Sequence, residues 1–198
     1  MDKRNLLFTL FFLLISLIST SALANIAFVE RIRGEVILNQ KTATVGAKIS
    51  EGDLIEAKGK KSFFVIRYDN GSRYMLRNGR LKVEKLNQVE SEVYLYSGKL
   101  ISSVKKNTYD KEKFKVKTRK MAMGVRGTKF WISEDPSESY LCVCEGEVSA
   151  DNGVNKVYVK KNQDTTAKGK QSLKVTSANS QMLDMALADF EILGDPVK

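Results

Sequence analysis

The stretch Ser62-Phe63-Phe64-Val65-Ile66-Arg67-Tyr68-Asp69-Asn70-Gly71-Ser72-Arg73-Tyr74-Met75-Leu76 decides the class of fold. Its opening run to Tyr68 is aromatic, aliphatic and of strand length, and Asp69-Asn70-Gly71-Ser72 follows as a hairpin signal, because an Asn-Gly pair accepts the positive φ angles of a type I′ turn. Arg73 to Leu76 is then the returning strand. Outward from this hairpin the same style continues from Phe28 to about Val175: short β-like runs divided by Gly and Asn.

In Phe114-Lys115-Val116-Lys117-Thr118 apolar and charged residues alternate, which places Phe114 and Val116 inside and the lysines in water. Tyr140-Leu141-Cys142-Val143-Cys144 is apolar on both faces, as expected of a strand covered on both sides. Arg33-Gly34-Glu35-Val36, Ser97-Gly98-Lys99-Leu100 and Glu145-Gly146-Glu147-Val148 echo one another at unequal spacings. Their glycines read as bulges or tight turns entering strands rather than as a solenoid repeat.

The segment from Ser180 to Leu193 changes period. Leu183, Leu187 and Phe190 recur at helical spacing, Met182, Met185, Ala186 and Leu193 widen the stripe, and Asp184, Asp189 and Glu191 are assigned to the outer face. Ser180 is the expected cap. The helix is read as docked on the sheet, with a partner-binding helix as the alternative.

At the other end, a charged start, an apolar run from Leu6 to Ile18 and the small-residue site Ala22-Leu23-Ala24 have the three zones of a secretory signal. The apolar run is shorter than the roughly 20 residues of a membrane span. Cleavage after Ala24 is expected, giving a signal peptide over 1–24, a β domain over 25–175 and a helix and tail over 176–198. The expected location is the periplasm, with an inner-membrane anchor through an uncleaved signal as the alternative. No Cys stands at the cleavage point to carry a lipid.

The chain has 198 residues, a formal charge of +10, two Cys and no His. Without histidine the usual nucleophilic triads and most zinc sites are gone, and only carboxylate-pair chemistry stays open to an enzyme. No catalytic role, cofactor or metal is expected. Two Cys in one strand lie about 6.6 Å apart, whereas a disulfide wants Cβ atoms near 3.8 Å, so Cys142 and Cys144 are read as buried free thiols.

Gly124-Val125-Arg126-Gly127-Thr128-Lys129-Phe130, followed by Glu145-Gly146-Glu147-Val148, resembles the signature of the FecR domain family. Gly52-Asp53-Leu54-Ile55, Asp69-Asn70-Gly71-Ser72 and Leu95-Tyr96-Ser97-Gly98-Lys99-Leu100 extend the likeness in order over roughly residues 33–170. The resemblance implies one all-β exported domain, sandwich or irregular β-roll, that works by binding. The family's best-known members are envelope regulators with a cytoplasmic anti-sigma segment. Here only Met1 to Arg4 precede the apolar run, and the segment after Val175 is too short for a further domain, so a sensory or scaffolding contact with another envelope protein is expected instead.

Gly124, Arg126, Gly127, Thr128, Phe130, Glu145 and Gly146 carry the motif. Arg126 has two readings: an internal clamp paired with Glu145 or Glu147, or an anion-binding loop residue. Lys105, Lys106, Lys111, Lys113, Lys115, Lys117, Arg119 and Lys120 against only Asp110 and Glu112 make a candidate face for a cell-wall polymer or lipid head groups, or else a solvated strand face. Nucleic acid is not an expected partner, since stacking aromatics are not interleaved. Mass measurement of the exported product checks the processing reading: a chain beginning at Asn25 is expected, and the uncut chain in the membrane fraction contradicts it.

Overall fold

The structure, a computed structural model, describes residues 27–87, 90–106 and 113–197. The signal segment with its cleavage site, Asp110, Lys111, Glu112 and the side chain of Lys113 lie outside that description. Along the chain run β1 (Ala27–Leu38), β2 (Lys41–Thr42), β3 (Leu54–Tyr68), β4 (Arg73–Leu86), β5 (Glu90–Ser103), β6 (Lys113–Lys117), β7 (Ala122–Val125), β8 (Lys129–Glu134), β9 (Ser139–Glu145), β10 (Glu147–Asp151), β11 (Lys156–Lys160), β12 (Gln163–Ala167) and β13 (Thr176–Ser177). The helix α1 (Ser180–Leu193) follows.

The strands form one sheet that branches at β5. Residues 90–94 of β5 pair in parallel with β6, leading to β7, β10 and β11, while residues 98–103 pair with β8, leading to β9, β12 and β13. On its other side β5 pairs with β4, and β4 leads to β3, β1 and β2. The branched sheet closes on itself, because nearly every strand sends one face into a single apolar cluster that includes Val29, Phe64, Leu76, Leu95, Phe114, Phe130, Leu141 and Val148. This is an all-β roll with one carboxy-terminal helix.

A line of irregular pairing crosses β1, β3, β4 and β5. The register jumps at Gly34, between Ala57 and Phe63, and between Arg77 and Arg80, opposite Gly98. Here the long strands turn, and the branch of β5 falls at the same place. Gly98 has φ 87° and sits so close to β4 that a Cβ would lie 2.5 Å from the Cα of Gly79, a space no other residue fits. Gly34 lies in the bulge of β1 and Gly146 in the turn between β9 and β10, as their sequence echo suggested.

The expected hairpin forms with a different turn. Tyr68 O accepts from Gly71 N at 2.9 Å, Tyr68 N donates to Ser72 O at 2.9 Å, and Gly71 alone in the turn has positive φ (82°). A three-residue loop with a left-handed glycine therefore replaces the two-residue type I′ turn.

The strip β3–β4–β5–β8–β9 is buried on both faces. Phe63, Val65, Met75, Ile101, Trp131 and Cys144 point away from the main core into a second cluster, closed by Ala186, Phe190 and Leu193 of α1. This explains why the runs around Phe63–Ile66 and Tyr140–Cys144 are apolar on both sides. Cys142 and Cys144 are free and buried. Their thiols share a hydrogen bond that lowers the pKa of Cys142 and, with burial, raises that of Cys144.

Helix α1 occupies the expected residues but is capped and rotated otherwise than expected. Asn179, not Ser180, is the cap, its side chain accepting from Gln181 N at 2.8 Å. Asp189, assigned to the outer face, is buried, whereas Met185 and Leu187 are each 40% exposed. The reason is electrostatic: Trp131 Nε1 donates to Asp189 at 3.1 Å and the Arg77 guanidinium pairs with the same carboxylate, turning Asp189 inward.

Comparison of Gly98→Ala with Gly46→Ala in thermal melts tests the turning line. Both glycines have positive φ, but a Cβ at Gly46 meets nothing within 4 Å. The Gly98 variant is expected to lose about 2 kcal/mol more, the overpacking contribution; equal losses contradict this account.

Candidate functional site

The motif residues meet where the β7–β8 turn, the β9–β10 turn and the end of β5 converge. Thr128, buried, exchanges backbone hydrogen bonds with Val104, each 3.0 Å. Its hydroxyl lies within donating distance of Arg126 O at 2.9 Å and Glu147 O at 3.0 Å. Gly146 abuts this point: a Cβ there would stand 2.8 Å from Gly127 O and 2.9 Å from the Thr128 hydroxyl, and one on Gly127 would stand 2.9 Å from Lys106 Cβ. Ser149 Oγ donates to Gly124 O at 3.4 Å, and Phe130 is fully buried in the main core. The motif is a backbone knot that fastens three chain segments, and its glycines are close-approach positions.

Arg126 is exposed rather than buried. The buried cation of the loop is Lys129, three residues on, whose ammonium lies 3.4 Å from Glu145 and 3.2 Å from Asp195. Sequence reading passed over Lys129 because it is an ordinary lysine at the start of a strand. Its place two residues before Trp131 puts it on the side that α1 covers.

The carboxy-terminal tail completes the arrangement. Beyond the left-handed cap Gly194, the Asp195 carboxylate accepts from Ser103 Oγ at 2.8 Å and from Lys129, and pairs closely with Lys105. Lys129 Nζ also donates to Pro196 O at 2.6 Å. Arg31 donates to Leu193 O at 2.7 Å, a cation at the negative end of the helix. Burial alone raises the pKa of Asp195, but hydrogen bonds from Lys105, Ser103 and Lys129 outweigh it and hold the group at about 2. With its folded value depressed, the stabilisation is fully present above the ordinary carboxylate range and is lost only as pH falls toward about 2.

Among the described residues of the basic run, Lys105, Lys115, Lys117, Arg119 and Lys120 are each paired with a carboxylate rather than left bare. Parallel pairing sets Lys115 beside Glu92 on β5, so Lys115 binds Glu90 at 2.7 Å and Glu92 at 3.7 Å, and Lys117 binds Glu92 and Glu84. Hydrogen bonds to Glu90 and Glu92 respectively raise the pKa of these two lysines. Arg119 and Lys120 both reach the buried Glu134, at 3.3 and 2.9 Å. Lys105 is bound to Asp195, and Lys106 is exposed beside Gly127. The acids come from strands remote in sequence, which a count along one segment could not include.

Among the described residues no group of three or more His, Cys, Asp or Glu could hold a metal ion, and no helix is long and apolar enough to cross a membrane. The architecture is that of an all-β domain whose signature loop ties strand ends together. Residues 55–149 match the family model described as FecR protein. The fold is similar to two crystal structures, at 2.50 and 1.65 Å resolution, of a chain from Parabacteroides distasonis proposed to be an anti-sigma factor. In each comparison the identity is 13%, the TM-score 0.57, and the match covers 66% of this chain and 62% of the other. No curated protein matches the chain.

Thermal melts of Arg126→Ala and Lys129→Ala separate the two cations. Removing the buried Lys129 leaves Asp195 and Glu145 without it and is expected to destabilise by about 3 kcal/mol or more. Arg126→Ala, at an exposed position, should cost less than the Lys129 change, because exposed ion pairs contribute about 1 kcal/mol or less. The reverse order returns the clamp to Arg126.

Proposed function

We propose that this chain is an exported, non-enzymatic envelope protein that acts by binding another protein in a sensory or scaffolding role. The match to the FecR family model over residues 55–149 carries the reading. The similarity in fold to a chain proposed to be an anti-sigma factor supports a regulatory setting, and the signal-like amino terminus, with processing after Ala24, supports export to the periplasm. The competing reading, an anionic envelope polymer held by the basic run, is motivated by the formal charge of +10. It loses support where Lys115, Lys117, Arg119 and Lys120 are each bound to a carboxylate.

Ionic strength distinguishes the two, because raising salt from about 0.1 M to about 1 M shortens the screening length from about 10 Å to about 3 Å. The processed protein, immobilised and exposed to envelope extract, is expected to retain a protease-sensitive partner through the high-salt wash. Retention of protease-resistant polymer alone, released as salt rises, overturns the proposal in favour of the polymer.

A further inference from the structure

A cavity of about 320 Å³ lies beside Asp195, walled by Ser103, Lys105, Lys106, Gly127, Thr128 and Lys129, with Glu145 at its margin. Three donors from two places in the fold converge on the Asp195 carboxylate: the Ser103 hydroxyl at the end of β5, Lys105 just beyond it, and Lys129 at the start of β8. Lys129 spends a second hydrogen bond on the main-chain carbonyl of Pro196. Its side chain is 9% exposed, so its charge requires a close anion. The anion arrives from outside the sheet, on the tail that follows the helix cap Gly194, and unfilled space remains next to it.

We propose that this is a recognition site for an acidic peptide segment, an aspartate or glutamate side chain together with the next main-chain carbonyl, and that Asp195–Pro196 fills it in cis until a partner's segment displaces the tail. The proposal rests on the protein-binding role above and names the chemistry of that partner. A peptide fits better than a phosphate or uronate polymer because the site engages a backbone carbonyl beside the carboxylate, and a polymer of bare anions offers no equivalent. The motif loop gives the site its shape: with Gly127 and Gly146 packed against neighbouring chain, Thr128 and Lys129 are held at the cavity wall.

The test uses the processed protein and a fluorescently labelled peptide, Ile-Leu-Gly-Asp-Pro-Val-Lys, copied from residues 192–198. In the parent the tethered carboxylate competes with the peptide; in Asp195→Asn it does not. The variant is therefore expected to bind at least roughly tenfold more tightly than the parent, as expected when a competing closed state is removed. Adding Lys105→Ala to Asp195→Asn should reverse the gain, and a peptide with Asn for its Asp should not bind. Should Asp195→Asn fail to fold, Asp195→Ser provides the same comparison. Equal affinity of parent and variant, or equal binding of the Asn peptide, overturns the site. If every form ignores the peptide while a protein partner is still held at high salt, the site falls and the binding role stands. If the peptide binds and no protein is ever captured, the site stands and that role falls.

Discussion

Backbone meets backbone at Gly79 and Gly98, and the rest of the fold depends on that contact. With no side chain on either residue, β4 and β5 approach closely enough to turn together, and the turn extends through Gly34 and the Lys58–Ser62 excursion of the neighbouring strands. Ser62 secures the excursion, donating to Lys58 O at 2.5 Å and accepting from Glu35 N at 3.1 Å. Because β5 changes direction there, its first half can pair with β6 and its second with β8. A flat sheet of this many strands would leave most of one face wet; the turned and branched sheet closes most of its inner face over one core.

Closure creates a second requirement. The strip through β8 and β9 has an outer face carrying Trp131, Cys144, Val65 and Ile101, too apolar to leave in water. Helix α1 covers it. Full burial of Phe190 and Leu193 contributes about 3–6 kcal/mol in gross terms, and a helix of 14 residues is marginal alone, so the helix depends on the sheet as much as the sheet on the helix. Rotation about the helix axis is set by polar contacts rather than by apolar area. The indole N–H of a buried Trp needs an acceptor, Asp189 supplies it, and Arg77 neutralises the carboxylate. Leu187 and Met185 are left outside as a consequence.

Features governed by local pattern were legible in the sequence: the hairpin about Asp69–Ser72, the alternation in β6, the two-sided strand β9, the helix, and the ordered FecR motifs. What escaped depended on register between distant segments. Glu90, Glu92 and Glu134 neutralise the lysines only because β5 and β8 bring them there, and no count along residues 105–120 contains them. Asp189 was assigned outward by its charge, although helical spacing from Ala186 and Leu193 already placed it among the buried positions. Trp131, the sole tryptophan, was the available signal that a buried hydrogen-bond acceptor must stand opposite.

Lys129 joins the two halves of this arrangement. Its backbone begins β8 directly after the Thr128 knot, while its ammonium holds Asp195 and Pro196 beyond α1. Any movement of the β7–β8 turn displaces that ammonium, and any loss of the tail leaves a buried charge with Glu145 as its remaining carboxylate in the motif. Loop and tail therefore meet at one ammonium, so a displacement of either is felt by the contacts of the other. The signature loop, a knot of backbone contacts, thereby also anchors the segment beyond the helix through Lys129.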